Sequence, residues 1–333
     1  MVNMKKRLST KKINIMFTCI GRRVSLLNGF KQAAKQLGLK PCLIGTDASE
    51  LSSALQLCDK KFITKPVKDA AYLRQLLDIV KKNKVDLLVP TVDLDLKLLA
   101  QNKDKFEKSD CVVLISTPEV IEICQDKRKT CLFLTNNNFH TPQTLSPRAA
   151  LKTKKLRYPL FLKPWDGYAS RGNAVVNNRT EMATIGKRIP NCIVQELVLG
   201  AEYTCDVFVD FDMKVRCVVP RKRIEVRSGE VSKGQIVKNS KIMNQSCRLV
   251  EKLGAGPGVI TIQLIVDKNK KINFIEMNPR FGGGVPLSIK AGADFPKWIV
   301  RQLLGTKPRI KFDGFKDKLI MLRYDSEVWF EEK

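Results

Sequence analysis

One histidine, His140, in 333 residues withdraws most chemistry that depends on an imidazole. No Ser-His-Asp triad can be assembled without it, and a histidine-rich zinc site is impossible, so any bound metal is expected to be hard and held by oxygen. Long apolar runs are missing too. Nothing approaches the ~18 residues of a spanning helix, and no membrane partner is expected. The stretch "INIMFTCIG" follows the basic "KKRLSTKK" but leads into Arg22 and Arg23 instead of small residues, which reads as a cytoplasmic chain without a leader. The ten cysteines form no Cys-x-x-Cys pair and are read as reduced core residues. The turn "CIGRR" lacks the Gly-x-Gly-x-x-Gly fingerprint, so a dinucleotide is a weak expectation there. Internal repeats and low-complexity segments are absent as well.

What is present is charge. Sixty Lys and Arg against 33 Asp and Glu give a formal +27, which implies an anionic environment. The lysines are spread over the whole chain, with no basic helix or Arg-rich tract, so no specific nucleic-acid partner is expected.

The hydrophobic fraction, 44%, supports a sizeable core and two or three domains' worth of structure. Between residues 12 and 116 short apolar runs alternate with amphipathic stretches. Strand and helix in alternation predict a parallel α/β sheet, Rossmann-like, with ligands beyond its strand ends near Gly21, Arg22, Asp47 and Asp93. "PEVIEICQDKRKTCLFLTNN" reads as a helical connection. Two α+β units follow. The first holds the strand "YPLFLKP", the loop "WDGYASRGN" and the strand "CIVQELV". The second ends in "GVITIQLIVD" and "KINFIEMN", read as an antiparallel hairpin across "KNKK". Residues past Pro308 read as tail strands.

The stretch "INFIEMNPRFGGG" carries the chemistry. Strand alternation puts Glu276, Asn278 and Arg280 on one face and Ile275 and Met277 on the other. Pairing across "KNKK" brings Gln263 beside Glu276. Gln263, Glu276 and Asn278 are hard oxygen donors of the kind Mg²⁺ takes when its other ligands are water and phosphate. Arg280 offers a planar fork to a phosphoryl oxygen or a carboxylate. Upstream, Lys163 ends an apolar strand ahead of a loop with Gly167, Ser170 and Gly172, a pattern suited to phosphates. Gln195, Glu196 and Val198 could offer backbone groups and apolar surface to an adenine, with Glu202 for ribose hydroxyls. "VPRKRIEVRSGEVSKG" supplies Arg221, Arg223, Arg227 and Lys233 as candidate anchors for a substrate carboxylate, with Tyr203 and Asp206 as weaker additions. The alternative for each set is a polar strand face in water.

Taken in order, Lys127, Lys163, the glycine loop, "QELV", Glu202, Gln263, Glu276 and Asn278 resemble the ATP-grasp superfamily, most closely its carbamoyl-phosphate-synthase-like and small carboxylate–amine ligase branch. The resemblance covers about residues 12–305, and "EMNPRFGGG" is its specific signal. It implies a pre-ATP-grasp domain over residues 1–116, a small lobe with its helical connection over 117–198, a large lobe with the metal site over 199–305 and a tail over 306–333. It implies ATP with Mg²⁺ or Mn²⁺, and ADP-forming ligation through an acyl phosphate. Lys127 and Lys163 would contact the nucleotide, and residues 166–172, with Ser170 and Arg171, would cover its phosphates. Glu196 and Val198 would frame the adenine and Glu202 meet the ribose. Gln263, Glu276 and Asn278 would hold the metal, with Arg280 and Asn278 beside the transferred phosphoryl group. The loop departs from many relatives in carrying Tyr168 and Ala169 for glycine. The expected partners are a small carboxylate and a small, amino-acid-like amine; the oligomeric state stays open, with a homodimer as one option. Two alternatives use the same chain differently: a carbamoyl-phosphate-forming or kinase-like phosphotransferase, and a basic polyanion-binding protein that retains the fold.

Overall fold

Three sheets organise the chain. The computed structural model describes residues 11–167, 172–227 and 229–331. In the first sheet, β1 (Lys12–Thr18), β2 (Lys40–Asp47), β3 (Lys60–Ile63), β4 (Leu87–Pro90) and β5 (Val112–Val113) are parallel, in the order β3-β2-β1-β4-β5. The order reverses between β1 and β4, where a parallel sheet opens its ligand crevice. The turns holding Arg22, Arg23 and Asp93 leave the sheet there. β3 was not foreseen, because "KKFI" is a short, mostly exposed edge with no apolar alternation.

The expected helical connection is present and consists of two helices, Pro118–Gln125 and Lys127–Asn136. Asp126 separates them in an extended conformation, φ −110° and ψ 108°, and its side chain accepts from the Arg128 N–H. An N-cap aspartate satisfies a donor that the new helix leaves open, so the chain starts again instead of continuing.

The small lobe is an antiparallel sheet of β6 (Thr144–Leu145), β7 (Leu160–Pro164), β8 (Ala174–Val176) and β9 (Cys192–Glu196), in the order β6-β9-β7-β8. Leu160, Leu162, Val176, Met182 and Val194 give it a core of its own. The large lobe holds β10 (Gly200–Val209), β11 (Val215–Arg227), β12 (Glu230–Ile236), β13 (Gly258–Asp267), β14 (Ile272–Asn278) and β15 (Ile320–Leu322), in the order β14-β13-β10-β11-β12-β15. β15 is the one strand of the tail among the described residues, and it pairs with β12. The large lobe and the first sheet share a continuous core. The helix Val24–Gln36 buries Leu26, Leu27 and Phe30, and Phe30 meets Phe281 edge to face at 5.9 Å. That contact seats the first domain against the loop that follows β14.

Among the described residues no helix is long and apolar enough to cross a membrane.

Candidate active site

The antiparallel registers of the large lobe align Glu276, Gln263, Thr204 and Arg221 in one row across β14, β13, β10 and β11. Paired residues share a face, so the row is continuous. The next row on that face holds Asn278, Thr261 and Asp206. The expected pairing of Gln263 with Glu276 is present. The expected alternation holds from Glu276 to Asn278 and fails at Ile275: a bulge between Gln263 and Leu264 lets β14 carry one extra residue, and Ile275 joins Glu276 in lining the same cavity. An extra residue in one strand of a pair breaks the two-residue period.

Two adjoining cavities flank the row. The smaller, about 430 Å³, is lined by Phe161, Lys163, Gln195, Glu196, Val198 and Glu202, and Tyr203 joins them. The larger, about 810 Å³, is lined by Arg23, Asp93, Arg221, Glu230, Asn278 and Arg280, among others. Lys127, Gly167, Arg223, Gln263 and Glu276 line both.

Lys163 lies at the end of β7 with 5% of its surface exposed, and among the described residues it has no ion-pair partner. Burial pushes its ammonium down to about 8, opposed by the carboxylate of Glu276 and reinforced by Lys127. A cation buried without a counter-ion is costly, and an anionic ligand removes that cost. Lys127 donates to the Gly167 carbonyl at 2.5 Å, tying the second connecting helix to the start of the glycine loop. Gly172 turns the chain at φ +73° and lines neither cavity. Ser170 and Arg171 lie outside the described residues.

Asn278 donates to Glu276 Oε1 at 2.7 Å, so the amide orients the carboxylate. Arg280 does not stand free: its fork grips Asp93, Nε to Oδ1 at 3.1 Å and Nη2 to Oδ2 at 2.5 Å, across 187 positions of sequence.

The four candidate substrate anchors separate. Arg221 is 2% exposed and forms a two-point pair with Asp206, at 2.7 and 2.8 Å, and Ser288 donates to the same carboxylate at 2.6 Å. Asp206 is completely buried and lines neither cavity. Arg223 remains at the junction of the cavities, 3.4 Å from Glu202. Arg227 and Lys233 line neither cavity and share Glu225, at 3.2 and 2.7 Å. A bulge between Arg223 and Glu225 breaks the alternation that would have kept Arg227 on the face of Arg221 and Arg223, and Lys233 pairs with Glu225 on β12.

The sequence reading missed Thr204, Glu230 and Arg23. Glu230 begins β12, an element hidden inside a basic run. Its carboxylate meets Arg22, Arg23 and Arg323 at 3.2, 2.9 and 3.2 Å. Burial opposes its charge, yet these three arginines hold Glu230 below the usual carboxylate range. The glycines after β14 are shaped to these contacts. A Cβ on Gly283 would stand 2.6 Å from Arg23 Nη1, and one on Gly284 2.1 Å from Arg221 Nη1.

Residues 15–114 match the PylC-like N-terminal domain, and residues 124–284 match the ATP-grasp domain. The chain carries an ATP-grasp domain. Among its curated relatives is the carbamoyl phosphate synthase large chain of Campylobacter jejuni, 23% identical over 77% of this chain and 25% of that protein. Another is the D-alanine–D-alanine ligase of Fusobacterium nucleatum, 22% identical over 47% of this chain and 56% of that protein. The chain thus spans about a quarter and just over half of their lengths. A biotin carboxylase from Campylobacter jejuni, solved as a complex named for ATP, superposes with a TM-score of 0.72 at 17% identity, over 94% of this chain and 75% of that one.

ATP-grasp proteins use ATP with Mg²⁺, and the donors of this one fit that metal. One carboxylate and two amides suit a magnesium completed by phosphate oxygens and water. Among the described residues no group of three or more His, Cys, Asp or Glu would form a cage made of protein alone.

Proposed function

We propose that the chain is an ATP- and Mg²⁺-dependent ligase that joins a carboxylate to an amino-acid-like amine and forms ADP. The carrying observation is the position of Glu276 and Gln263 at the junction of two cavities, one with the buried cation Lys163 and one rich in guanidinium groups. The smaller cavity takes the nucleotide: Glu196 and Val198 frame the base, Glu202 meets the ribose, and Lys163 and Lys127 meet the phosphates. Glu276, Gln263 and Asn278 hold the magnesium. The metal, when bound, neutralises phosphate charge in the transition state.

Positioning and charge supply most of what phosphoryl transfer needs. The substrate carboxylate oxygen attacks the γ-phosphorus, the bond to the β-phosphate oxygen breaks, and ADP leaves. Arg223 and Arg280 line the space around the oxygens in flight. The amine nitrogen then attacks the acyl carbon of the acyl phosphate, the carbon–oxygen bond breaks, and phosphate leaves as the nitrogen loses a proton. A carboxylate alone is a poor electrophile, which is why activation comes first.

Hydroxylamine tests this. With ATP, Mg²⁺ and each member of a panel of carboxylic acids, the true acid is expected to yield a hydroxamate and ADP in equal amounts. AMP and pyrophosphate would overturn the acyl phosphate. ADP with a stable phosphorylated product and no hydroxamate would move the reading to a phosphotransferase.

A further inference from the structure

The charges of the larger cavity are mostly matched in pairs. Arg280 has Asp93, Arg221 has Asp206, and Arg223 has Glu202. One cluster does not balance. Arg22 and Arg23, from the turn after β1, and Arg323, just past β15, all converge on the single carboxylate of Glu230. Three cations against one anion leave two positive charges uncompensated. Arg323 approaches Glu230 from outside the cavity lining and also donates to the Gly283 carbonyl, while Arg22 and Arg23 line the cavity itself. Arg23 ends its turn at the N-terminus of the helix Val24–Gln36, whose first turn holds no acidic residue and no side-chain cap. That backbone adds partial positive charge to the same spot.

The cluster is coupled to the reacting end of the cavity through the glycine loop. Only a residue without a Cβ lets Arg23 and Glu230 approach Gly283 as they do, at 2.6 and 3.0 Å from where that atom would stand. Gly283 belongs to the same loop as Arg280. A carboxylate that reacts must sit near Glu276 and Asn278, so an anion held at Arg22 and Arg23 is one that the reaction leaves intact. These arginines line only the larger cavity, from which the acceptor must approach if the smaller one holds ATP.

We propose that Arg22 and Arg23 dock the unreacting α-carboxylate of an amino-acid acceptor, and that Arg323 is a positioning residue that occupies Glu230 so that the pair can turn to the ligand. The proposal rests on the ligase reading for the word acceptor and on the cluster for the carboxylate. A guanidinium fork matches a carboxylate at two points and has no such match with a neutral amide.

The test uses the full chain and calorimetric titration with the twenty standard L-amino acids and their α-amides. At least one amino acid is expected to bind, and its amide to bind about tenfold more weakly or worse. Arg22→Gln and Arg23→Gln should bring that ratio towards one. Arg323→Gln should weaken the acid, and Glu230→Gln should tighten it, because the first frees a competing carboxylate and the second removes it. A purely structural role would weaken acid and amide alike in both variants. The proposal is overturned if no amino acid binds, if acid and amide bind equally, if Arg22→Gln leaves the ratio unchanged, or if only dicarboxylates such as succinate show the arginine dependence. ADP release measured in parallel separates the two ideas. A carboxylate preference without ADP from any acid–amine pair keeps the dock and rejects the ligase. ADP release with amides as effective as acids keeps the ligase and rejects the dock.

Discussion

Lys163 and Arg221 are both buried cations, and the structure gives them opposite consequences. Lys163 has no counter-ion among the described residues, so its burial penalises the ligand-free fold. With an amine near 8 when folded and 10.5 when unfolded, the unfolded chain binds more protons between those values, and stability rises with pH across that window. Below about 8 the penalty is complete. Lys163→Met is therefore expected to stabilise the ligand-free chain at pH 7 by on the order of 3 kcal/mol, an advantage that fades as pH approaches 10.5. The same variant should lose most of its nucleotide affinity. Urea unfolding at several pH values and a nucleotide titration check both halves, and a variant that still binds ATP normally removes Lys163 from the site. Arg221 is matched, so its loss strands Asp206. Arg221→Met is expected to cost about 3–5 kcal/mol of stability. Because the guanidinium already serves Asp206, Arg221→Met should change substrate affinity less than Arg223→Met does, which titration on folded variants would show. For the metal, Glu276→Gln is expected to keep the fold and abolish Mg²⁺-dependent ADP release; full turnover would end that assignment.

At the scale of elements, legibility followed periodicity. The alternating strands and helices of the first domain, the hairpin of β13 and β14, and the meeting of Gln263 with Glu276 were all readable, because two-residue and helical periods are written locally. β12 was not, since "GEVSKGQI" sits inside a basic run whose charge hid its buried positions Val231, Ser232 and Ile236. The break at Asp126 was missed for a similar reason: one N-cap inside a continuous amphipathic stretch carries little signal. Bulges in β11 and β14 were invisible, and they decide which side chains reach the cavities. Contacts between distant segments, Arg280 with Asp93 and Arg23 with Glu230, have no local trace at all. The loop after β14 offers an element-scale test. A methyl group at Gly284 would collide with Arg221 and Val231, the latter at 2.7 Å. Gly284→Ala is thus expected to cost about 2–4 kcal/mol by urea unfolding and to impair ADP release as well. Unchanged stability would show that the guanidinium has room to retreat.

Over the whole molecule, the formal charge of +27 is a general property of the surface, with lysines in every part of the chain. Binding to DNA or heparin is expected to be blind to sequence and to fall steeply as salt rises. Sequence-selective binding at physiological salt would instead favour a nucleic-acid role. The small lobe carries its own core, whereas the first domain shares one with the large lobe and keeps a second to itself. Nucleotide bound between β7, β9 and the row on β13 and β14 would bridge these two bodies, so Mg²⁺ with ADP should raise the midpoint of thermal unfolding, and Lys163→Met should blunt the rise.

The row from Glu276 to Arg221 draws one residue from each of four strands, and its continuity depends on three separate registers. A slip of one residue in any of them would turn a member of the row to the opposite face while leaving the sheet paired. Turnover is then a proofreader of folding. A preparation with the right size and secondary structure but a shifted strand would be silent in an ADP assay, and the fraction of active sites would count the molecules that reached the correct alignment.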